Sequence, residues 1–146
     1  MANTQRDHLK QWAHNREFLA TIAPKYTDWI VTVTFYVALQ AVDALLAHDK
    51  VRGVTRHEER NEVLMRTNRY DFIQRHFAPL YTLSRTVRYL AAPEQWVRAE
   101  DIEKNVWRRY LYPIEESVGR LTGHKLDASP LKLAAVTVLP VVQTGG

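Results

Sequence analysis

The stretch WIVTVTFYVALQAVDALLAHD, Trp29 to Asp49, carries two periods at once. Val31, Val33, Phe35 and Val37 alternate as in a strand, whereas ALQAVDALLAHD fits a helix. Length arbitrates between them. The apolar pattern runs without Gly or Pro for about five helical turns, well beyond the usual length of a strand. The stretch is therefore read as a buried central helix, with Asp28 placed to cap it. Thr32, Thr34, Gln40 and Asp43 are too few to form a broad wet face. The β-branched start is tolerated because tertiary contacts override a weak propensity. The same stretch approaches the roughly 20 residues a membrane span requires. Asp43 and Gln40 lie inside it and no basic cluster flanks it, so no membrane is expected.

Around this helix, 146 residues leave room for one core and little for a second. A bundle over 1–126 followed by an extended tail over 127–146 is the expected organisation. Cysteine is absent, which excludes disulfides, thiolate nucleophiles and Cys-based metal sites and suits a reducing compartment. The opening MANTQRDHLKQW has no apolar signal core, so a cytoplasmic protein is expected.

The remaining segments read as helices, giving an all-α antiparallel bundle of about five. Thr4 to about Ile22 is amphipathic, with Leu9, Trp12, Phe18, Leu19 and Ile22 inward, and Pro24 stops it. Thr55 with Glu58 reads as a capping box opening a short helix to about Arg66. Tyr70 to Ala78 forms a further piece, and Pro79 begins another that runs to about Ala91 on a seam of Leu80, Leu83, Val87 and Leu90. The last helix spans about Glu100 to Leu121, with Val106, Trp107, Tyr110, Leu111, Ile114 and Val118 inward and a kink at Pro113. The tail ASPLKLAAVTVLPVVQTGG is β-branched and nearly uncharged, and is expected to pack on the bundle or on a protein partner. Its terminal Gly145 and Gly146 read as a frayed end.

Net charge is +4, and all of the excess lies between Arg52 and Ala92, where eight arginines and no lysine face four acids. Arginine forks match the oxygens of phosphates and carboxylates and stack on bases, so this segment points to an anionic partner. The alternative is a solvated face of intrachain salt bridges. The block YTLSRTVRY, Tyr81 to Tyr89, sharpens the question. On a helix Tyr81 lies over Arg85, Ser84 over Arg88 and Arg85 over Tyr89. Such a surface binds phosphate through Arg and stacks a base on Tyr, as single-stranded RNA is held. Otherwise Arg85 and Arg88 pair with Glu103 or Glu115 of the last helix.

Several chemistries find no support. His57 and Glu58 begin like a zinc-protease motif, but Asn61 stands where the second histidine is needed, so no metal site is expected. No glycine-rich loop follows a strand and no Gly-x-Ser-x-Gly elbow exists, so no nucleotide cofactor or serine hydrolase is implied.

The order of features over about residues 29 to 120 resembles the HEPN superfamily of helical domains. The carrying elements are FYVALQAVDALLA on a long helix, RHEERNEV with its histidine near the next helix start, a helix ending SRTVRY, and a final helix AEDIEKNVWRRYLYPIEESV. The resemblance implies an antiparallel bundle, a homodimer, and a place in toxin-antitoxin, CRISPR or phage-defence systems. Many such proteins are metal-independent ribonucleases using an Arg followed after four to six residues by a His. Arg85 resembles the motif arginine, yet Leu90, Ala91 and Ala92 stand where histidine belongs, and Gln40 replaces the first-helix histidine. His57 matches the histidine near the following helix start.

The expectation is an RNA- or nucleotide-binding protein with a degenerate ribonuclease site. Its anion and base platform comprises Tyr81, Ser84, Arg85, Arg88, Tyr89, His57 and Arg60. Two other pairs share the Arg/His spacing, Arg52 with His57 and Arg69 with His76. In the ribonuclease alternative Arg69 and His76 serve, His76 exchanging a proton and Arg69 stabilising phosphate charge. A third reading makes the arginine-rich face an interface of a larger complex.

Overall fold

The computed structural model describes residues 3–135, and they fold as an all-helical bundle. Helix α1 spans Gln5–Leu19, α2 Thr27–His48, α3 His57–Arg66 and α4 Asp71–Arg88. The last helix is continuous: α5 over Ala99–Ile102, a π-helical stretch over Glu103–Leu111, and α6 over Tyr112–Thr122. Short 3-10 turns lie at Asn68–Tyr70 and Pro93–Gln95.

The helical reading of the opening stretch holds. Ile30, Val31, Val37, Ala38, Ala41, Val42 and Leu45 are fully buried, and α2 packs against α1, α4 and the last helix. By length and composition α2 could cross a membrane, yet 67% of its most apolar window is buried inside the bundle. It is not buried all round, however: Trp29 is 58% and Tyr36 41% exposed. The first-turn Asp28 does not cap it, because the helix starts two residues earlier than such a cap requires, at Thr27 behind Tyr26, with no side-chain cap.

Thr4 caps α1 in a reciprocal box with Asp7. Trp12, Leu19 and Ile22 turn inward as the periodicity requires, but Phe18 is 47% exposed, on the side of α1 that faces Val33 and Tyr36. Helix α3 begins later than the Thr55 and Glu58 pattern predicts. Arg56 takes the N-cap position, and its Nε donates to Glu59 Oε1 at 2.9 Å.

Pro79 does not start a helix. It sits inside α4, whose buried seam of Ile73, Phe77, Leu80, Ser84 and Val87 runs straight through it. Proline deprives only the carbonyl of Arg75 of its donor, and Arg75 is exposed to water. Near Pro113 there is a widened turn: the Tyr112 amide reaches back five residues to the Trp107 carbonyl. The π-helical stretch thus absorbs the hydrogen bond that Pro113 cannot make. Val106, Trp107, Leu111, Ile114 and Val118 face the core, with Tyr110 half-buried against it. Trp107 is fully enclosed, and its Nε1 donates to Thr34 Oγ1 at 2.9 Å.

Gly123, at φ +69°, ends α6 in the left-handed conformation that glycine adopts at no cost. The chain then doubles back along α6. Leu126 and Leu131 are buried, the Leu131 amide donates to Tyr112 Oη at 2.8 Å, and the Leu133 amide donates to Glu103 at 3.3 Å. The rest of the expected tail, with Pro140 and the Gly145–Gly146 end, lies outside the described residues.

Candidate functional site: an aromatic and arginine platform on α3 and α4

Five of the eight arginines between Arg52 and Ala92 are held in ion pairs: Arg56 with Glu59, Arg60 with Asp43, Arg66 with Glu62, Arg69 with Asp49 and Arg75 with Asp71. Among the described side chains, no carboxylate lies within 4.0 Å of Arg52, Arg85 or Arg88. The pairing of Arg85 or Arg88 with Glu103 or Glu115 is therefore not formed. Buried Glu115 instead accepts from Trp12 Nε1 and Arg16 Nε, both at 2.8 Å, tying α6 to α1. Burial pushes the Glu115 carboxyl up from its ordinary value, against the opposing pull of Arg16 and these hydrogen bonds.

Tyr81 is the centre of the platform. The His57 ring, presented by the first turn of α3, stacks on it with centroids 3.5 Å apart and planes 17° from parallel. Arg85, one turn along α4, places its guanidinium 5.7 Å from the same phenol, the four-residue neighbour relation read from the sequence. From below, Phe35 of α2 supports Tyr81 at 5.4 Å and Phe77 at 5.4 Å. Tyr81, Thr82, Arg85, Thr86 and Tyr89 line a shallow cleft of about 310 Å³, with Tyr89 83% exposed at its rim.

The surroundings of His57 favour its neutral form. Burial comes first, followed by the nearby Arg60 cation, and with Arg85 they lower its pKa below the ordinary 6.5 despite Glu58. Its Nδ1 is buried with no hydrogen-bond partner among the described residues. An aromatic stack flanked by an unpaired guanidinium can hold a planar ligand edge and an anionic oxygen together.

Not every residue read from the sequence joins this platform. Ser84 points into the core, its hydroxyl donating to the Tyr81 carbonyl at 2.8 Å. Arg60 is only 6% exposed and grips Asp43 with Nε at 2.7 Å and Nη2 at 3.0 Å, so it serves the junction of α2 and α3. Arg88 is exposed and lies back along its own helix, Nε donating to the Ser84 carbonyl at 3.1 Å.

Arg69 and His76 have separate commitments. Arg69 binds both oxygens of Asp49 at 2.8 and 3.0 Å and the Leu121 carbonyl at 2.8 Å. His76 bonds through Nδ1 to the Phe72 carbonyl at 2.8 Å. Arg52, the partner His57 has by spacing alone, lines a different cavity, beside Lys50 and Gly53.

Sequence reasoning missed the solvent-facing side of α2. Trp29, Val33, Tyr36 and Gln40 recur at four-, three- and four-residue steps, a single helical face hidden within an apolar run. In comparisons of the chain with protein-family models, curated proteins and solved structures, nothing matches.

Proposed function

We propose that this is a HEPN-like protein that binds RNA or a nucleotide without cleaving it, using the Tyr81, Arg85, Tyr89 and His57 platform. The observation that carries the reading is the convergence of His57 and Arg85 on Tyr81, with Arg85 lacking a carboxylate partner among the described side chains. A base can stack on the exposed Tyr89 ring at the rim, and an unneutralised guanidinium takes phosphate. Leu90, Ala91 and Ala92 in place of a histidine support the loss of the ribonuclease function that the resemblance implies. A homodimer, a cytoplasmic setting and a role in toxin-antitoxin, CRISPR or phage defence belong to the same proposal.

The test is binding of labelled single-stranded RNA, in EDTA, across a salt series. Affinity should fall steeply with salt as counterions are released, and Arg85→Ala should weaken binding and reduce the salt slope by about one. Cleavage of the RNA, lost in His76→Ala, would replace this reading with the ribonuclease one. Binding that Arg85→Ala leaves untouched would remove the platform from it.

A further inference from the structure

Beside the platform, a groove follows the seam between α1 and α2. At one end a cavity of about 710 Å³ is lined by His8, Gln40, Asp43, Lys50, Arg52 and Arg60, among others. Gln40 also borders a second cleft, of about 390 Å³, with Gln11, His14, Asn15 and Tyr36. Phe18 and Val33 are shared by that cleft and a third, of about 520 Å³, which reaches Tyr26 and Trp29. The three clefts share wall residues in order and so form a row along the α1–α2 seam, which runs roughly 28 Å from Trp29 to the end of α2 at the helical rise.

Its chemistry changes along the way. The cavity end is cationic: Asp43 is the single carboxylate among the residues lining the three clefts, and Arg60 neutralises it at 2.7 Å. Lys50 and Arg52 remain at the rim without a carboxylate within 4.0 Å among the described side chains. In the middle the groove is neutral, polar and aromatic. Gln11 Nε2 donates to Asn15 Oδ1 at 2.8 Å, which leaves the Gln11 carbonyl and the Asn15 amino group open. Gln40 Oε1 meets His8 Nδ1 at 2.8 Å, which leaves the Gln40 amino group open toward the cleft.

Amide donors and an acceptor between two exposed aromatic rings, Phe18 and Tyr36, match the edge and face of a nucleobase. Tyr36 also links the groove to the platform, because its ring packs on Phe35 at 5.6 Å and Phe35 packs on Tyr81 at 5.4 Å. From Tyr36 to Lys50 is about 20 Å along the helix, too far for the base and phosphate of one nucleotide to occupy both. A strand fits where a mononucleotide does not.

We infer that the α1–α2 groove carries a single-stranded nucleic acid and that the cleft at Gln11, Asn15 and Gln40 reads one of its bases, with Lys50 and Arg52 on the flanking phosphates. This rests on the binding function proposed above and adds to it a path and a site of base discrimination. Neutral amides supply discrimination, whereas the arginine platform supplies affinity without it.

Fluorescence anisotropy with labelled homopolymers of A, C and U, and with an abasic strand of equal length, tests the inference on the full chain. Gln11 and Tyr36 are exposed and Asn15 is half-buried, so their truncation leaves the core intact. The wild type should separate the best and worst homopolymers by about tenfold, the scale of one good edge contact. Gln11→Ala/Asn15→Ala should collapse that separation and leave the salt slope unchanged. Tyr36→Ala should weaken every homopolymer by about tenfold and the abasic strand hardly at all.

If all strands bind, Arg85→Ala weakens them, and the groove variants treat base-bearing and abasic strands alike, the groove is excluded and the platform stands. If the groove variants act as expected and Arg85→Ala has no effect, the groove stands and the platform falls. Absence of binding by any strand at low salt overturns both.

Discussion

His57 shows how one residue can be fixed by packing and still report on pH. Burial and two nearby guanidiniums lower its folded pKa, so the unfolded chain binds the proton more readily. Stability should be constant above the ordinary value of 6.5 and decline as pH falls through it toward the lowered folded value. Urea unfolding midpoints across that range should show the decline in wild type. They should show a flatter profile in His57→Phe, which keeps the stack on Tyr81 and cannot be protonated. Thr34 makes a second residue-scale prediction. Its hydroxyl donates to the Ile30 carbonyl and accepts from Trp107 Nε1, all within the core. Thr34→Val keeps the shape and leaves the indole N–H unpaired, which should cost about 1–3 kcal/mol in chemical denaturation. Neither role was visible in the sequence, where Thr34 reads only as a polar interruption.

At the scale of elements, α4 separates what periodicity reveals from what it hides. The proline at 79 argues for a break, yet the apolar spacing continues on both sides of it, and the buried seam won. A proline in a helix interior costs about 3 kcal/mol relative to alanine, a net value that already includes its restriction of the unfolded chain. Pro79→Ala should therefore raise stability by up to about 3 kcal/mol, measured as a higher denaturation midpoint at unchanged slope. The seam itself was read one flank off. Leu83 and Leu90 are half-buried and Ser84 takes the core position, because its hydroxyl is satisfied by its own helix.

The link between α1 and α6 was equally hidden, since Arg16 and Glu115 lie too far apart in the chain for any spacing rule to join them. Glu115→Ala should cost about 3–5 kcal/mol by stranding buried Arg16, whereas Arg16→Met/Glu115→Leu should recover most of that loss. The helix count, by contrast, was legible, because long apolar runs without glycine leave one solution.

For the whole molecule, the charge map is the most informative property. Folding sorts the eight arginines of the basic segment into two that join elements, Arg60 and Arg69, three in exposed local pairs, Arg56, Arg66 and Arg75, and three exposed ones without a carboxylate partner among the described side chains, Arg52, Arg85 and Arg88. The local pairs follow the three- and four-residue spacing that the sequence shows, whereas the sequence is silent on Arg60 and Arg69, whose acids Asp43 and Asp49 come from α2 and its C-terminal cap. Asp49 is the largest such junction, accepting from Arg69 and from Tyr70 Oη at the start of α4, while Arg69 also reaches the last turn of α6. Burial alone would raise the Asp49 carboxyl, but the bonds from Arg69, Tyr70 and His48 outweigh it and hold it below 3.8. The same burial and the Asp49 contact push Tyr70 up to about 12. Its depressed folded pKa makes Asp49 stabilising above 3.8, and that stability is lost as pH falls through the lower folded value. Asp49→Asn should be less stable near neutrality and should lose this part of the acid transition.

The contact between Thr34 and Trp107 also sets a timetable. One face of α2 is covered by the last helix, through Thr34 and Trp107, so that face stays open until Trp107 leaves the ribosome. At about 5–20 residues per second the wait is roughly 3–12 s. For that interval the most apolar of the described helices is a half-clothed segment on a growing chain, its last partner not yet made.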